Sequence, residues 1–519
     1  MRRQGPTHVI RLSRPLTLLL GVAAVLLGLI SAPVADLGVA SASGSETATY
    51  LYNNGHDSFD ASEATITPAT ASSLAPQWTI SRYWSTNQPI VAGGEVYWSD
   101  WNGILHATNT LRHDDDWTAN LGTTTSACGG VTGPDSSATV ATVGGVSTVF
   151  IGGGTAQVEA FNASTGQVIW NTQLSTDPAA MIWSSPTLFD GSIFIGLASA
   201  GSCPNIRGAL FKLNATNGAI EATFYSVPQG CIGGGIWSSP TIDEATGILY
   251  VGTGNANLCP SDSTAPAPDT EPDAQAIVAL RTSDLSLVGA YQPPNNAGDN
   301  DFGATPTLFS ATIAGQQVNM VGAINKNATY YALNRSDISA GPVWTHFIGT
   351  PGACEACTAT FASNSSFDGN TLYLAGDVGV INGQSCPGTL SAIDPATGNA
   401  MWTDCLEQGR VLGAVNGAPG IVEVGAGDHV LVANDATGQI EYDYAEPSGN
   451  YFWSPGYFAD GVLYVSNNDG TLLAFAPTPG AATPESPQAV VLPIIAVAGI
   501  GAAVWRRRRG GLVVRSSTA

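Results

Sequence analysis

Four short segments of this chain hold residue types that a ligand site needs. Gly233-Gly234-Gly235-Ile236-Trp237 runs into Ser238-Ser239-Pro240, and Gly252-Thr253-Gly254-Asn255 ends on an amide. Asp299-Asn300-Asp301-Phe302-Gly303 carries two carboxylates, and Asn325-Lys326-Asn327 holds one of only two lysines in 519 residues. An indole is a flat plate on which a planar ligand stacks, a carboxylate accepts a proton as a general base, and an ammonium pairs with anions. Each residue also has a plainer reading. Trp183-Ser184-Ser185-Pro186 repeats the Trp237 phrase and Trp453-Ser454-Pro455 echoes it, so Trp237 equally suits a recurrent packing position. Asn255 after a glycine suits a turn, and Asp301 and Lys326 suit a solvated surface. The six histidines are scattered and are assigned nothing.

What must position these segments is legible in the repeats. Asn162-Ala163-Ser164-Thr165-Gly166 leads to Trp170, and Asp394-Pro395-Ala396-Thr397-Gly398 leads to Trp402. Asn214-Ala215-Thr216-Asn217-Gly218 and Asn434-Asp435-Ala436-Thr437-Gly438 match without the Trp. Asn or Asp opens each turn by bonding its own backbone and Gly takes the positive φ that closes it, so each predicts a hairpin. Apolar strand-like runs such as Ser192-Ile193-Phe194-Ile195 and Val462-Leu463-Tyr464-Val465 lie upstream. With weaker forms at Asn109, Arg281 and Asn334 and a last unit ending near Phe475, the count is eight, spaced 40 to 67 residues apart. That period predicts an all-β, eight-bladed β-propeller, with the strand near Tyr50 to Tyr52 completing the last blade. Trp237 and Asp301 then precede inner strands and Asn255 follows a middle strand, loop types that open on one face.

Composition agrees. With 61 Gly, 31 Pro and 44% hydrophobic residues, the chain has material for a large core and many turns, and is no charge-driven disordered polymer. Residues 43–488 carry 8 basic and 39 acidic side chains, a net of −31, which repels phosphate backbones and leaves cations or neutral ligands as partners, not nucleic acid. The remaining arginines mark the ends. Four in residues 2–14, the apolar run 15–30 and Ala40-Ser41-Ala42 predict a secretory signal peptide over 1–42. The apolar stretch 489–505, followed by Arg506 to Arg509, predicts a transmembrane helix with a cytoplasmic basic tail, 506–519. The propeller, 43–477, is then exported and held at the cell surface through a Pro/Ala/Thr-rich linker, 478–488. Eight cysteines in an exported chain predict disulfides, with Cys386 and Cys405 flanking one strand-turn-strand unit that they would bridge. Cys354-Glu355-Ala356-Cys357 lacks the following His of a covalent haem site.

Over roughly residues 50–476 the sequence resembles the pyrroloquinoline quinone (PQQ) propellers, the quinoprotein alcohol dehydrogenases. The resemblance rests on Tyr52-Asn53-Asn54-Gly55-His56-Asp57, on Ile66-Thr67-Pro68 with Trp78, and on the turn-to-Trp repeat. It implies that Trp237 forms the floor under the quinone ring, that Asn255 gives a side-chain oxygen to calcium, that Asp301 ligates calcium and takes the alcohol proton, and that Lys326 lies near the quinone oxygens. Calcium takes oxygen ligands, and the cofactor's carboxylates want cations. The chain departs from the family twice. Ser199-Ala200-Gly201-Ser202-Cys203-Pro204-Asn205 has no carboxylate where a third-blade Glu reaches calcium, and Cys128-Gly129-Gly130 stands where two adjacent cysteines cover the quinone.

The resemblance thus implies a PQQ- and calcium-dependent dehydrogenase of a small alcohol, passing electrons to an external acceptor. A non-catalytic surface propeller, binding a protein or glycan through loops such as 259–275, is the alternative that the missing Glu favours.

Overall fold

The computed structural model describes residues 47–126, 130–201, 205–256, 271–294, 299–349 and 363–478. The predicted signal peptide and membrane span, most of the linker, the paired-cysteine position at Cys128 and the Cys354/Cys357 loop lie outside the described residues, as does much of loop 259–275. Among the described residues no helix is long and apolar enough to cross a membrane.

Eight antiparallel sheets, seven of four strands and one, blade 3, of five, make eight blades. Blade 1 comprises Ile90–Ala92, Glu95–Asp100, Ile104–Asn109 and Asp115–Asn120; blade 4 comprises Thr241–Asp243, Ile248–Gly252, Ile277–Arg281 and Leu287–Tyr291; blade 5 comprises Thr307–Ile313, Gln316–Asn325, Thr329–Asn334 and Pro342–Phe347. Middle strands are buried on both faces, as in Ile421–Ala426 of blade 7, whereas outer strands such as Ile440–Ala445 alternate with solvent. The core therefore lies between blades, sheet face on sheet face: Tyr373 and Leu390 of blade 6 pack with Val422 and Leu431 of blade 7.

The ring closes through Leu74–Ser81, which pairs antiparallel with Thr471–Pro477 as the outer strand of blade 8. This corrects the expectation for Tyr50 to Tyr52, which form a turn. Their segment does other work. Backbone carbonyls of Asn54, Gly55, Asp57 and Ser58 accept N–H bonds from Ile242, Leu308, Phe367 and Gly417, one from each inner strand of blades 4 to 7. The N-terminal segment thus runs along the inner strands of blades 4 to 7.

The turn-to-Trp repeat has a mechanical reason. Trp170 Nε1 donates to the Ala215 carbonyl at 3.0 Å, Trp344 Nε1 to Pro395 at 2.9 Å and Trp402 Nε1 to Asp435 at 2.9 Å, so each indole staples its blade to the hairpin turn of the next. The turn glycine is what admits the ring: a Cβ on Gly398, at φ +72°, would lie 2.5 Å from Trp344. A second set of links runs round the axis. The N–H groups of Gln88, Ser137, Ser185, Ser239 and Thr305 donate in turn to Ser137, Ser185, Ser239, Thr305 and Asn364 side chains, tying blades 1 to 6. The Ser-Ser-Pro phrases are these links. Cys386 and Cys405 form the expected disulfide inside blade 6. Cys231 is also disulfide-bonded, and no described cysteine is free.

Candidate functional site

Loops that enter inner strands and loops that join second to third strands open on the same face of a four-stranded meander. Trp237 and Asp301 enter blades 4 and 5, Asn255 follows the second strand of blade 4, and Lys326 lies between the second and third strands of blade 5. All four line one cavity of about 270 Å³, together with Trp183, Ser199 and Asn205 of blade 3 and with Asp299. The expected convergence is therefore present.

Its electrostatic centre is Lys326. The ammonium lies 3.0 Å from Asp301 Oδ2, 3.0 Å from Asp299 Oδ1 and 5.2 Å from the centroid of the Trp237 ring. Asp301 is buried, whereas the Asp299 side chain is 48% exposed. The Asn255 N–H donates to Asp301 Oδ1 at 2.7 Å and so holds the carboxylate, while the Lys326 N–H donates to the Asp301 main-chain carbonyl at 3.0 Å and anchors the backbone beneath it. Burial pushes the Asp301 carboxyl above its usual range, with Lys326 pulling the other way and Asp299 adding to the rise. Burial acts to lower the Lys326 ammonium, but Asp301 and Asp299 outweigh it and hold it above its usual value. The ammonium is thus kept charged.

The tip of the Trp237 ring abuts Gly303, where a Cβ would fall 1.8 Å from it, so the glycine two residues after Asp301 is what seats the indole. Glycines 201, 233, 235 and 254 make much of the remaining wall. A second, polar cavity of about 230 Å³ lies on the axis and shares Trp183 and Trp237 with the first. Tyr50, Asp135 and Asn364 line it, and burial raises the Asp135 carboxyl to about 7. Trp237 is thereby both plate and packing: it walls the site and belongs to the axial tryptophans with Trp183 and Trp453.

Sequence reasoning missed Asp299 and Trp183 as members. Asp299 was legible as the second carboxylate of an Asp-x-Asp run, and Trp183 as the repeat of the Trp237 phrase.

The donor chemistry fits the implied groups. A flat indole, glycine walls and a buried cation suit a planar polycarboxylate. Asp301, Asp299 and Asn255 offer the oxygens that a hard cation takes. Among the described residues no three His, Cys, Asp or Glu side chains are arranged to hold a metal, so calcium would draw on ligand and solvent oxygens as well. The third-blade loop contributes Ser199, Gly201 and Asn205, neutral groups where the family's Glu would stand.

The eight-bladed propeller thus carries a lysine-centred cavity walled by an indole between blades 4 and 5. The chain is similar to the PQQ-type quinoprotein β-propellers. Residues 227–345 match the family profile described as glucose/ethanol/alcohol dehydrogenase, beta-propeller domain, and residues 61–223 match that of outer membrane protein assembly factor BamB. A polyvinylalcohol dehydrogenase of Sphingopyxis sp. (strain 113P3) is 28% identical over 334 residues, 55% of this chain and 50% of that protein. Quinohemoprotein alcohol dehydrogenase ADH IIB of Pseudomonas putida is 29% identical over 219 residues, 36% of this chain and 31% of that one. The chain thus spans half or less of the length of these two relatives. The crystal structure of quinohemoprotein alcohol dehydrogenase from Comamonas testosteroni superposes with a TM-score of 0.67 at 19% identity, covering 84% of this chain and 81% of the other, a likeness of fold.

Proposed function

We propose that this protein is a PQQ- and calcium-dependent dehydrogenase of neutral alcohols. The observation that carries the reading is the convergence of Asp301, Lys326, Asn255 and Trp237 on one cavity, and the names of the relatives support it. When bound, the quinone supplies the two-electron acceptor that takes hydride from the carbinol carbon. Trp237 provides the plate against which the ring lies, Lys326 supplies positive charge beside its oxygens, and Asp301 and Asn255 hold the cation. Asp301 takes the hydroxyl proton, its carboxylate held in aim by the Asn255 N–H. Electrons leave to an external acceptor. The chain is exported and anchored by residues 489–505, with the propeller outside.

A non-catalytic scaffold that binds a surface protein or glycan is the second reading. It is favoured by the BamB match of residues 61–223 and by the engagement of both site acids with Lys326. Dye reduction by the purified protein separates the two. Alcohol-dependent reduction that needs both PQQ and calcium supports the dehydrogenase; no reduction with any alcohol supports the scaffold.

A further inference from the structure

The face that carries the cavity also carries aromatic side chains that the reaction does not use. Tyr83 and Trp84 lie in the loop entering blade 1, and Tyr451 in the loop entering blade 8; they are 49%, 43% and 42% exposed. Trp101, between the second and third strands of blade 1, stands 5.5 Å from Trp84, centroid to centroid, at an interplanar angle of 44°. Large aromatics exposed side by side are unusual on a soluble surface and mark binding sites.

These rings form one rim. The Trp84 carbonyl accepts the Trp101 N–H, and the Arg82 N–H donates to the Gly470 carbonyl. Asn468, two residues before Gly470, exchanges bonds with the Tyr451 backbone. The rim is continuous with the candidate site. Trp101 Nε1 donates to Thr86 Oγ1 at 3.2 Å, and Thr86 lines the axial cavity whose opposite wall includes Trp183 and Trp237.

We propose that this aromatic shelf is a binding subsite for an extended, neutral, hydroxylated chain, one stretch of which lies on Trp84 and Tyr83 while a distant carbinol reaches Asp301. Charge selects the ligand. The net of −31 over residues 43–488 repels a polyanion. The carboxylates beside the shelf are occupied: Asp469 accepts from Asn450, Thr471 and Ser448, and Asp135 accepts from Thr86. What remains is ring faces for carbon–hydrogen surfaces, the chemistry that a polyol backbone presents. The inference rests on the dehydrogenase reading and names its substrate as polymeric; shelf binding itself requires neither cofactor nor turnover.

The test is affinity electrophoresis of the full chain, without cofactor, in gels containing polyvinyl alcohol, dextran or no polymer, followed by steady-state rates with PQQ and calcium. Retardation by a neutral polyol is expected, with Trp84→Ala and Tyr83→Ala each weakening it about tenfold. Retardation by polyvinyl alcohol upholds the shelf as a polyol site; retardation by dextran alone assigns the rings to a glycan and overturns the proposal. In turnover, Trp84→Ala raises KM for the long chain and leaves kcat alone. Unaltered mobility of the parent protein in both polymers, or equal retardation of Trp84→Ala with an unchanged melting temperature, overturns the proposal even where a short alcohol is oxidised. Retardation without oxidation of any alcohol sinks the dehydrogenase reading and leaves the shelf standing.

Discussion

Lys326 and Asp301 meet through 3.0 Å between Nζ and Oδ2, inside a cavity where the carboxylate is buried and the ammonium is shared with Asp299. The pair sets the charge of the site at one net negative when all three groups are ionised. A cation entering beside Asp301 must therefore share the carboxylate with Lys326 or displace it, while an anionic ring beside Lys326 gains from it.

Asp301→Asn keeps the shape and the bond from the Asn255 N–H but removes the acceptor for a hydroxyl proton. Turnover of any alcohol is expected to fall by about a hundredfold or more, with the melting temperature within a few degrees of the parent. Dye-linked rates and a thermal scan measure both.

Lys326→Met removes the positive charge and leaves Asp301 buried without its cation. Affinity for PQQ in the presence of calcium is expected to drop about tenfold or more, read by titration calorimetry. Unchanged affinity would place the lysine outside the ligand's reach.

Trp344 is 8% exposed and staples blade 5 to the Pro395 carbonyl in blade 6. Trp344→Ala removes that bond and the ring packed on Gly398, and is expected to cost about 3–5 kcal/mol in urea unfolding.

Glu423 is fully buried in blade 7, and burial raises its carboxyl to about 7 against the bonds from Asn416 and Gly456 that lower it. Below the unfolded value, about 4.3, both states hold the proton and nothing is lost. Between there and 7 the unfolded state ionises first, so the folded state loses stability as pH rises. Glu423→Gln should therefore match the parent near pH 4 and exceed it by about 1–3 kcal/mol at pH 8. Its amide oxygen keeps the two accepted bonds, and its NH₂ takes the place of Oε1, which has no partner.

The parts that were legible in sequence are local ones. An Asn-x-x-x-Gly turn fixes its own hairpin, so four such turns, three weaker forms and one last unit predicted eight blades, and the Gly-rich segments around Trp237, Asn255 and Asp301 lie in loops that the meander sends to one face. The closing strand was not legible, because pairing of Leu74–Ser81 with Thr471–Pro477 spans the whole ring and leaves no nearby signal. Nor was the engagement of Lys326 with two carboxylates, which depends on how the loop after the second strand of blade 5 folds over Asp299-Asn300-Asp301. The shelf was hidden for a different reason: nothing in the sequence marks Trp84 as exposed or sets it beside Trp101.

The most direct test of the central claim is the melting temperature of the purified protein with PQQ alone, calcium alone, and both. Asn255, Asp301 and Asp299 would supply only part of the roughly six to eight oxygens that calcium takes, so on this account quinone and cation would bind together. Binding to the folded state raises stability by about 2.7 kcal/mol at a hundredfold excess over the dissociation constant. The account predicts that joint addition raises the melting temperature by more than the sum of the two separate shifts, and that Asp301→Asn abolishes the excess. A melting temperature unmoved by PQQ and calcium together would contradict it.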